Sequence, residues 1–156
     1  QDLFFESFKL RVENEDTTAK IVYEFKIPEK LELRVNFPSG VYDEPYKYTL
    51  DSNGIEINRT WQEEMELLAK NIISQVGSFR KVIFTGHTDE VGSENNNMVL
   101  GQQRVDFVVA ELQRRGVPAD LLEARSAGES QPLKRKKGEN NDTYWKRCRR
   151  VDIQKI

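Results

Sequence analysis

An α+β fold, with a mixed sheet that carries helices on one face and extra β-strands at its N-terminal end, is predicted by three features of this 156-residue sequence. Alternating and β-branched residues fill 3–37, an amphipathic stripe follows Thr60, and an apolar strand at Arg80–Thr85 leads through a polar loop into a second helical pattern. That succession of strand and helix implies a βαβ crossover. The length suits one core with a small appendage, divided here as an extension over residues 1–45 and a domain over 46–156.

The first region holds three strand-like runs, Leu3–Val12, Lys20–Ile27 and Leu31–Phe37, separated by Asn14-Glu15-Asp16 and Pro28-Glu29-Lys30. Leu31, Leu33, Val35 and Phe37 share one side of the last run while Glu32, Arg34 and Asn36 share the other, so it has a dry and a wet face. Pro38-Ser39-Gly40 turns the chain, and Tyr46–Leu50 reads as a strand closed by the polar turn Asp51–Gly54. Thr60 with Glu63 forms a capping-box pattern, and Trp61, Met65, Leu68, Ile72 and Val76 then lie along one helical face ended by Gly77. After the strand and loop, Val105, Val108, Val109 and Leu112 predict a helix from about Asn95 to Arg115, with Gly116 beyond its end. Pro118 opens a short helical turn, and a third strand falls near Ala124–Ala127. Residues 129–144 read as a long exposed loop containing Lys134-Arg135-Lys136-Lys137, and Arg147–Ile156 reads as the closing strand.

Net charge is −2, which gives no global reason to expect nucleic acid or an anionic membrane as partner, although the basic residues are unevenly placed. A single cysteine, Cys148, excludes an internal disulfide and reads as a packed thiol. No apolar stretch approaches the roughly 20 residues that cross a bilayer, and Gln1 opens no signal segment, so any leader or membrane anchor is expected outside this sequence.

The loop Gly86-His87-Thr88-Asp89-Glu90-Val91-Gly92-Ser93, with Asn97 and Arg104 on the helix behind it, sets one carboxylate and one guanidinium beside the same turn. That pairing suits a zwitterionic ligand at a strand end, where open sheets bind their ligands. Arg104 sits one turn from both Leu100 and Val108, at the edge of the apolar face, and needs a partner there. An internal Asp89–Arg104 salt bridge meets that need as well as a ligand does, and a pair that bridges in the free protein can open onto ligand. His87 is the sole histidine and no nucleophile motif accompanies it, so it reads as a loop-packing residue and the chain as no enzyme. No metal or cofactor is expected: a second histidine and a cysteine pair are missing, and Glu139–Asp142 lacks calcium-loop spacing.

These residues resemble the OmpA-like (OmpA/MotB) peptidoglycan-binding domain, whose signature is a G-H-T-D-x-x-G-S turn followed by an asparagine, a leucine and an arginine at fixed offsets. Gly86 to Ser93, Asn97, Leu100 and Arg104 fall on that pattern, and the resemblance continues through Gly116-Val117, Gly128-Glu129 with Pro132, and Arg149-Arg150-Val151, over roughly residues 46–156. Asn96, Gly101, Val105 and Cys148 depart from the usual aromatic, serine, alanine and asparagine. The resemblance implies a βαβαβ mixed sheet and non-catalytic binding of peptidoglycan through a diaminopimelate-type stem peptide. Asp89 would take the ammonium and Arg104 the carboxylate, with Thr88, Asn97 and one of Arg149 or Arg150 in support. Alanine at Asp89 or Arg104 is then expected to abolish binding in a folded domain.

The implied role is a Gram-negative envelope anchor that ties an outer-membrane protein or lipoprotein to the wall from the periplasmic side, with the wall-binding part of an inner-membrane MotB-like stator as the alternative. Strand edges in residues 3–37 offer pairing to a second copy, a route to a homodimer. Lys134 to Lys137 reads as a solvated loop, with a phosphate-bearing wall polymer or lipid headgroup as the sharper alternative.

Overall fold

The Thr60 hydroxyl accepts the Glu63 backbone N–H at 3.2 Å and the Glu63 carboxylate accepts the Thr60 N–H at 3.0 Å, so the capping box forms and launches α1, Trp61–Ser74. Met65, Leu68 and Ile72 are buried on its inner face, with Trp61 packed against the same core. The helix stops two residues before Val76, which is 56% exposed, so the apolar stripe is one turn shorter than its spacing predicts.

This computed structural model describes the backbone of residues 8–15 and 18–25 and all of residues 30–156. The chain divides into two units, Gln1–Lys30 and Leu31–Ile156. In the first, β1 (Phe8–Glu15) and β2 (Thr18–Phe25) form an antiparallel hairpin in register from Phe8↔Phe25 to Glu15↔Thr18. The expected strand start at Leu3 and end at Ile27 lie outside the described residues.

The second unit begins at Leu31, not at the expected residue 46, and the reason is packing. Leu31, Val35 and Phe37 join the core of Met65, Leu68, Ile72, Phe84, Val105, Val108 and Leu112. The alternation of dry and wet sides predicted for Leu31–Phe37 therefore holds, but the segment is not a strand. One bridge, Asn36↔Arg150, joins it to the sheet, while the Arg34 N–H donates to the Glu64 carboxylate at 2.7 Å instead of to a neighbouring strand.

Next, β3 (Tyr48–Leu50) pairs antiparallel with β4 (Glu56–Thr60), and the Asp51–Gly54 turn joins them. β4 has no counterpart in the expected elements. β5 (Val82–His87) lies between β6 (Leu122–Gly128), which runs parallel to it, and β7 (Val151–Lys155), which runs antiparallel. The parallel pair is the predicted βαβ crossover. It is spanned by α2 (Glu94–Arg114), which starts on the Ser93 cap and lies against β5 and β6.

α2 approaches β5 so closely that a Cβ on Gly86 would overlap the carbonyl oxygen of Gly101. At Gly101 a side chain would collide with the Ser126 hydroxyl, which donates to the Met98 carbonyl at 2.7 Å and explains the departure from serine there. On the other side of the site, α3 (Asn141–Cys148) interrupts what was expected to be loop and strand, capped by the Asn140 side chain accepting the Thr143 N–H at 2.8 Å. Tyr144 and Cys148, four residues apart, bury its inner face, and β7 starts only at Val151.

Candidate functional site

The motif loop folds by local hydrogen bonding. Asp89 Oδ1 accepts the Val91 N–H at 3.0 Å, Gly92 takes a φ of +94° that a side chain would strain, and the Ser93 hydroxyl accepts the Asn96 N–H at 3.1 Å to start α2. The turn is anchored at the sheet end by Thr88 N–H donating to Gly128 O at 2.9 Å and His87 N–H donating to Arg150 O at 2.8 Å. Asn97 holds it from the helix: its amide nitrogen lies 3.2 Å from Asp89 O, 3.1 Å from Val91 O and 2.9 Å from a Glu129 carboxylate oxygen. The Thr88 hydroxyl is also turned inward, donating to Asp89 O at 2.8 Å.

The partner of Asp89 is Arg149, not Arg104. Arg149 Nη1 donates to Asp89 Oδ2 at 3.0 Å, Nη2 to the Tyr46 hydroxyl at 3.0 Å and Nε to Phe37 O at 2.7 Å. Both members of the ion pair are less than a tenth exposed. The alternative of an internal Asp89–Arg104 bridge is therefore corrected. Arg104, wholly buried, donates to three backbone carbonyls instead: Nε to Val41 at 2.9 Å, Nη1 to His87 at 3.0 Å and Nη2 to Pro38 at 3.1 Å, with the Phe37 ring 5.3 Å away.

Strand parity, which left Arg149 and Arg150 equivalent, is resolved by this geometry. Arg149 enters the cluster, whereas Arg150 pairs with Asp152 at 3.0 Å and donates to Cys148 O and Gln131 O. Cys148 itself is buried at the end of α3.

Two guanidiniums share one carboxylate, so the cluster carries surplus positive charge in a site with little water. Burial, together with the Arg149 charge, pushes the Arg104 pKa down to about 10 against the opposing pull of Asp89, which leaves it protonated at neutral pH but short of a counter-anion. The cluster can thus accept a carboxylate, and Asp89 can accept an ammonium. His87 is only 1% exposed and its Nε2 lies 3.0 Å from Asp152 Oδ2. For Asp152, burial acts upward, yet the His87 hydrogen bond and the Arg150 charge together hold its carboxyl below the ordinary value.

Residue patterns missed Tyr46, Glu129 and the carbonyls of Phe37, Pro38 and Val41. Carbonyls leave no signature in sequence, and Tyr46 looked like an ordinary strand residue. Glu129 lay within the quoted Gly128-Glu129 match without a role.

The chain matches the OmpA family over residues 50–144. It is similar to the peptidoglycan-associated lipoprotein of Buchnera aphidicola subsp. Baizongia pistaciae, 30% identical over 96% of this chain and 86% of the relative. Among solved structures it resembles the peptidoglycan-associated lipoprotein from Burkholderia pseudomallei, with a TM-score of 0.54 and 27% identity over 70% of this chain and 87% of that one. The C-terminal domain of Helicobacter pylori MotB shares the fold, with a TM-score of 0.54 at 22% identity over 70% of this chain and 82% of that domain. With the signature loop, the crossover and these matches in agreement, the chain belongs to the OmpA family.

Proposed function

We propose that this chain is a non-catalytic peptidoglycan-binding domain that ties an outer-membrane protein or lipoprotein to the cell wall from the periplasmic side. The observation that carries the reading is the buried cluster of Asp89, Arg104 and Arg149 under the motif loop. One carboxylate beside two guanidiniums complements a ligand end that bears an ammonium next to a carboxylate, as the free end of a diaminopimelate stem peptide does. The names of two relatives, both peptidoglycan-associated lipoproteins, support the wall as partner.

In this reading the ammonium meets Asp89 and the carboxylate meets the guanidiniums. Arg104 gains the carboxylate by exchanging the Pro38 or Val41 carbonyl, and Arg149 by exchanging the Tyr46 hydroxyl. The bonds given up already have a charged donor, so what favours the exchange is the second charge that a carboxylate brings to a buried cluster with surplus positive charge. Asn97 and Thr88 act by fixing the loop, since their polar atoms are already bonded within it. Binding without bond cleavage fits a buried His87 that faces Asp152 rather than the loop.

The test is co-pelleting with purified peptidoglycan of diaminopimelate type and of lysine type. The diaminopimelate wall should retain the protein, and free diaminopimelate should displace it more effectively than its amide. Asp89→Asn should lose on the order of 2–5 kcal/mol of binding, the cost of removing one partner of a buried charge pair. Unchanged pelleting of Asp89→Asn, together with no effect of diaminopimelate, refutes the site.

A further inference from the structure

Charge is segregated along this chain. Residues 131–150 carry eight of the 24 lysines and arginines but only two of the 26 acidic residues. Within them, Lys134, Arg135, Lys136 and Lys137, with Gly138, line an open surface recess. Gly138 adopts a φ of +75°, which turns the loop back on itself.

The loop is built, not slack. Its acid, Glu139, is consumed internally: it receives two hydrogen bonds from the Arg147 guanidinium, with both side chains under a tenth exposed, and one from the Lys136 N–H at 3.0 Å. Arg147 also donates to Lys134 O at 3.1 Å, and the Tyr144 hydroxyl donates to Leu133 O at 2.7 Å. Arg135 lies 4.2 Å over the Tyr144 ring. Lys136 reaches the hairpin turn at Ser52 O, 2.7 Å away, where it also feels Asp51. The ammonium groups of Lys134 and Lys137 are exposed and engage no partner among the described residues. Of the two acids in this stretch, Glu139 is therefore spent on Arg147, and Lys134 and Lys137 are left exposed.

The tip is also separate from the motif loop, because α3 stands between them. Trp145 donates to Glu90 at 3.1 Å and Lys146 lies 5.1 Å over the Tyr46 ring, on the cluster side, whereas Thr143 and Arg147 lie against Gly54 on the tip side. A stem-peptide end held at the Asp89 cluster would therefore lie across the helix from the tip.

We propose that the loop from Lys134 to Lys137 docks on an anionic phospholipid surface through its phosphate groups. Lysine ammoniums are compact point charges suited to phosphate, and a cluster of four basic side chains is the lower end of what an anionic membrane surface captures. A flat surface fits the tip because its aromatic ring, Tyr144, is already covered by Arg135 and cannot stack on a sugar. This inference does not rest on the proposed wall site: it uses different residues on the other side of α3.

The whole chain is sedimented with vesicles of phosphatidylcholine alone and of phosphatidylcholine mixed with phosphatidylglycerol, at low and raised salt. Retention is expected on the anionic vesicles only, with release by salt, because exposed charges are screened over about 10 Å at 0.1 M. The double variant Lys134→Gln, Lys137→Gln should partition about 25-fold less, roughly fivefold per cation. It should keep an unchanged circular dichroism spectrum, since neither ammonium bonds to the fold. Asp89→Asn should bind vesicles like the wild type. Equal retention on neutral vesicles, or wild-type partition by the double variant, overturns the proposal. Loss of wall pelleting by the double variant without any vesicle binding also overturns it and assigns the loop to the wall polymer.

Discussion

Arg104 shows how one residue can be legible in position and illegible in role. Its place at the edge of the apolar face predicts a buried guanidinium in need of partners, and it is wholly buried. The partners, however, are the carbonyls of Pro38, Val41 and His87, two of them more than sixty residues away in sequence. Arg104→Ala would strand those acceptors and open a cavity, so the expectation of a folded, non-binding variant is replaced by one of a destabilised domain. We expect a loss of about 2–5 kcal/mol on chemical denaturation, from the cavity left by a large buried side chain and the stranded carbonyls. Asp89→Asn keeps the shape and an acceptor for the Val91 N–H but leaves the buried Arg149 guanidinium without its counter-charge, so it should also unfold at a lower denaturant concentration than the wild type. Glu139 sets a pH signature at the same scale. Its hydrogen bonds from Arg147 hold its pKa at about 2, down from an ordinary 4.5, so it contributes stability above about 4.5 that is lost as pH falls toward 2. A carbon-13 titration of the Glu139 carboxyl should have its midpoint near 2, and the Arg147→Gln variant should return it toward 4.5.

Elements with strong local signals were readable, and those that depend on distant partners were not. α1 announces itself by the Thr60–Glu63 box and a stripe in which Met65, Leu68 and Ile72 are buried, and α2 by the spacing of its valines and Leu112. Thr60→Ala should therefore cost about 1 kcal/mol of stability, read as a lower urea midpoint with an unchanged slope. α3 was missed because its eight residues bury only two apolar side chains, Tyr144 and Cys148, beside the buried Arg147, too few to show a helical period. Residues 31–37 gave the opposite error: their alternation is real, yet a period of two reports which side is dry and not whether a neighbouring strand supplies the hydrogen bonds. The motif loop was legible because Asp89, Val91, Ser93 and Asn97 bond to one another within a short span. Arg149, at the end of α3, and Tyr46, just before β3, come from distant parts of the chain: Arg149 reaches Asp89 and Tyr46 reaches Arg149 only when the sheet closes.

At the scale of the molecule, the decisive difference from the sequence reading is where the folding unit begins. Cutting at residue 46, where the family resemblance starts, removes Leu31, Val35 and Phe37, all buried in the shared core. It also removes the Pro38 and Val41 carbonyls that receive Arg104 and the Phe37 carbonyl that receives Arg149. Burying three such side chains contributes roughly 1.5–3 kcal/mol each, so their loss is comparable to the whole stability of a domain, about 5–15 kcal/mol. A fragment of residues 31–156 should melt cooperatively within a few degrees of the full chain and pellet with diaminopimelate-type peptidoglycan. A fragment of residues 46–156 should keep helical circular dichroism but lose the cooperative transition, bind a hydrophobic dye and release the wall, because the site and the core share the same missing segment. Cooperative melting of 46–156 at the full-chain temperature would show that residues 31–45 lie on the core without supporting it, and that the cluster at Asp89 assembles from the motif loop, α2 and the end of α3 alone.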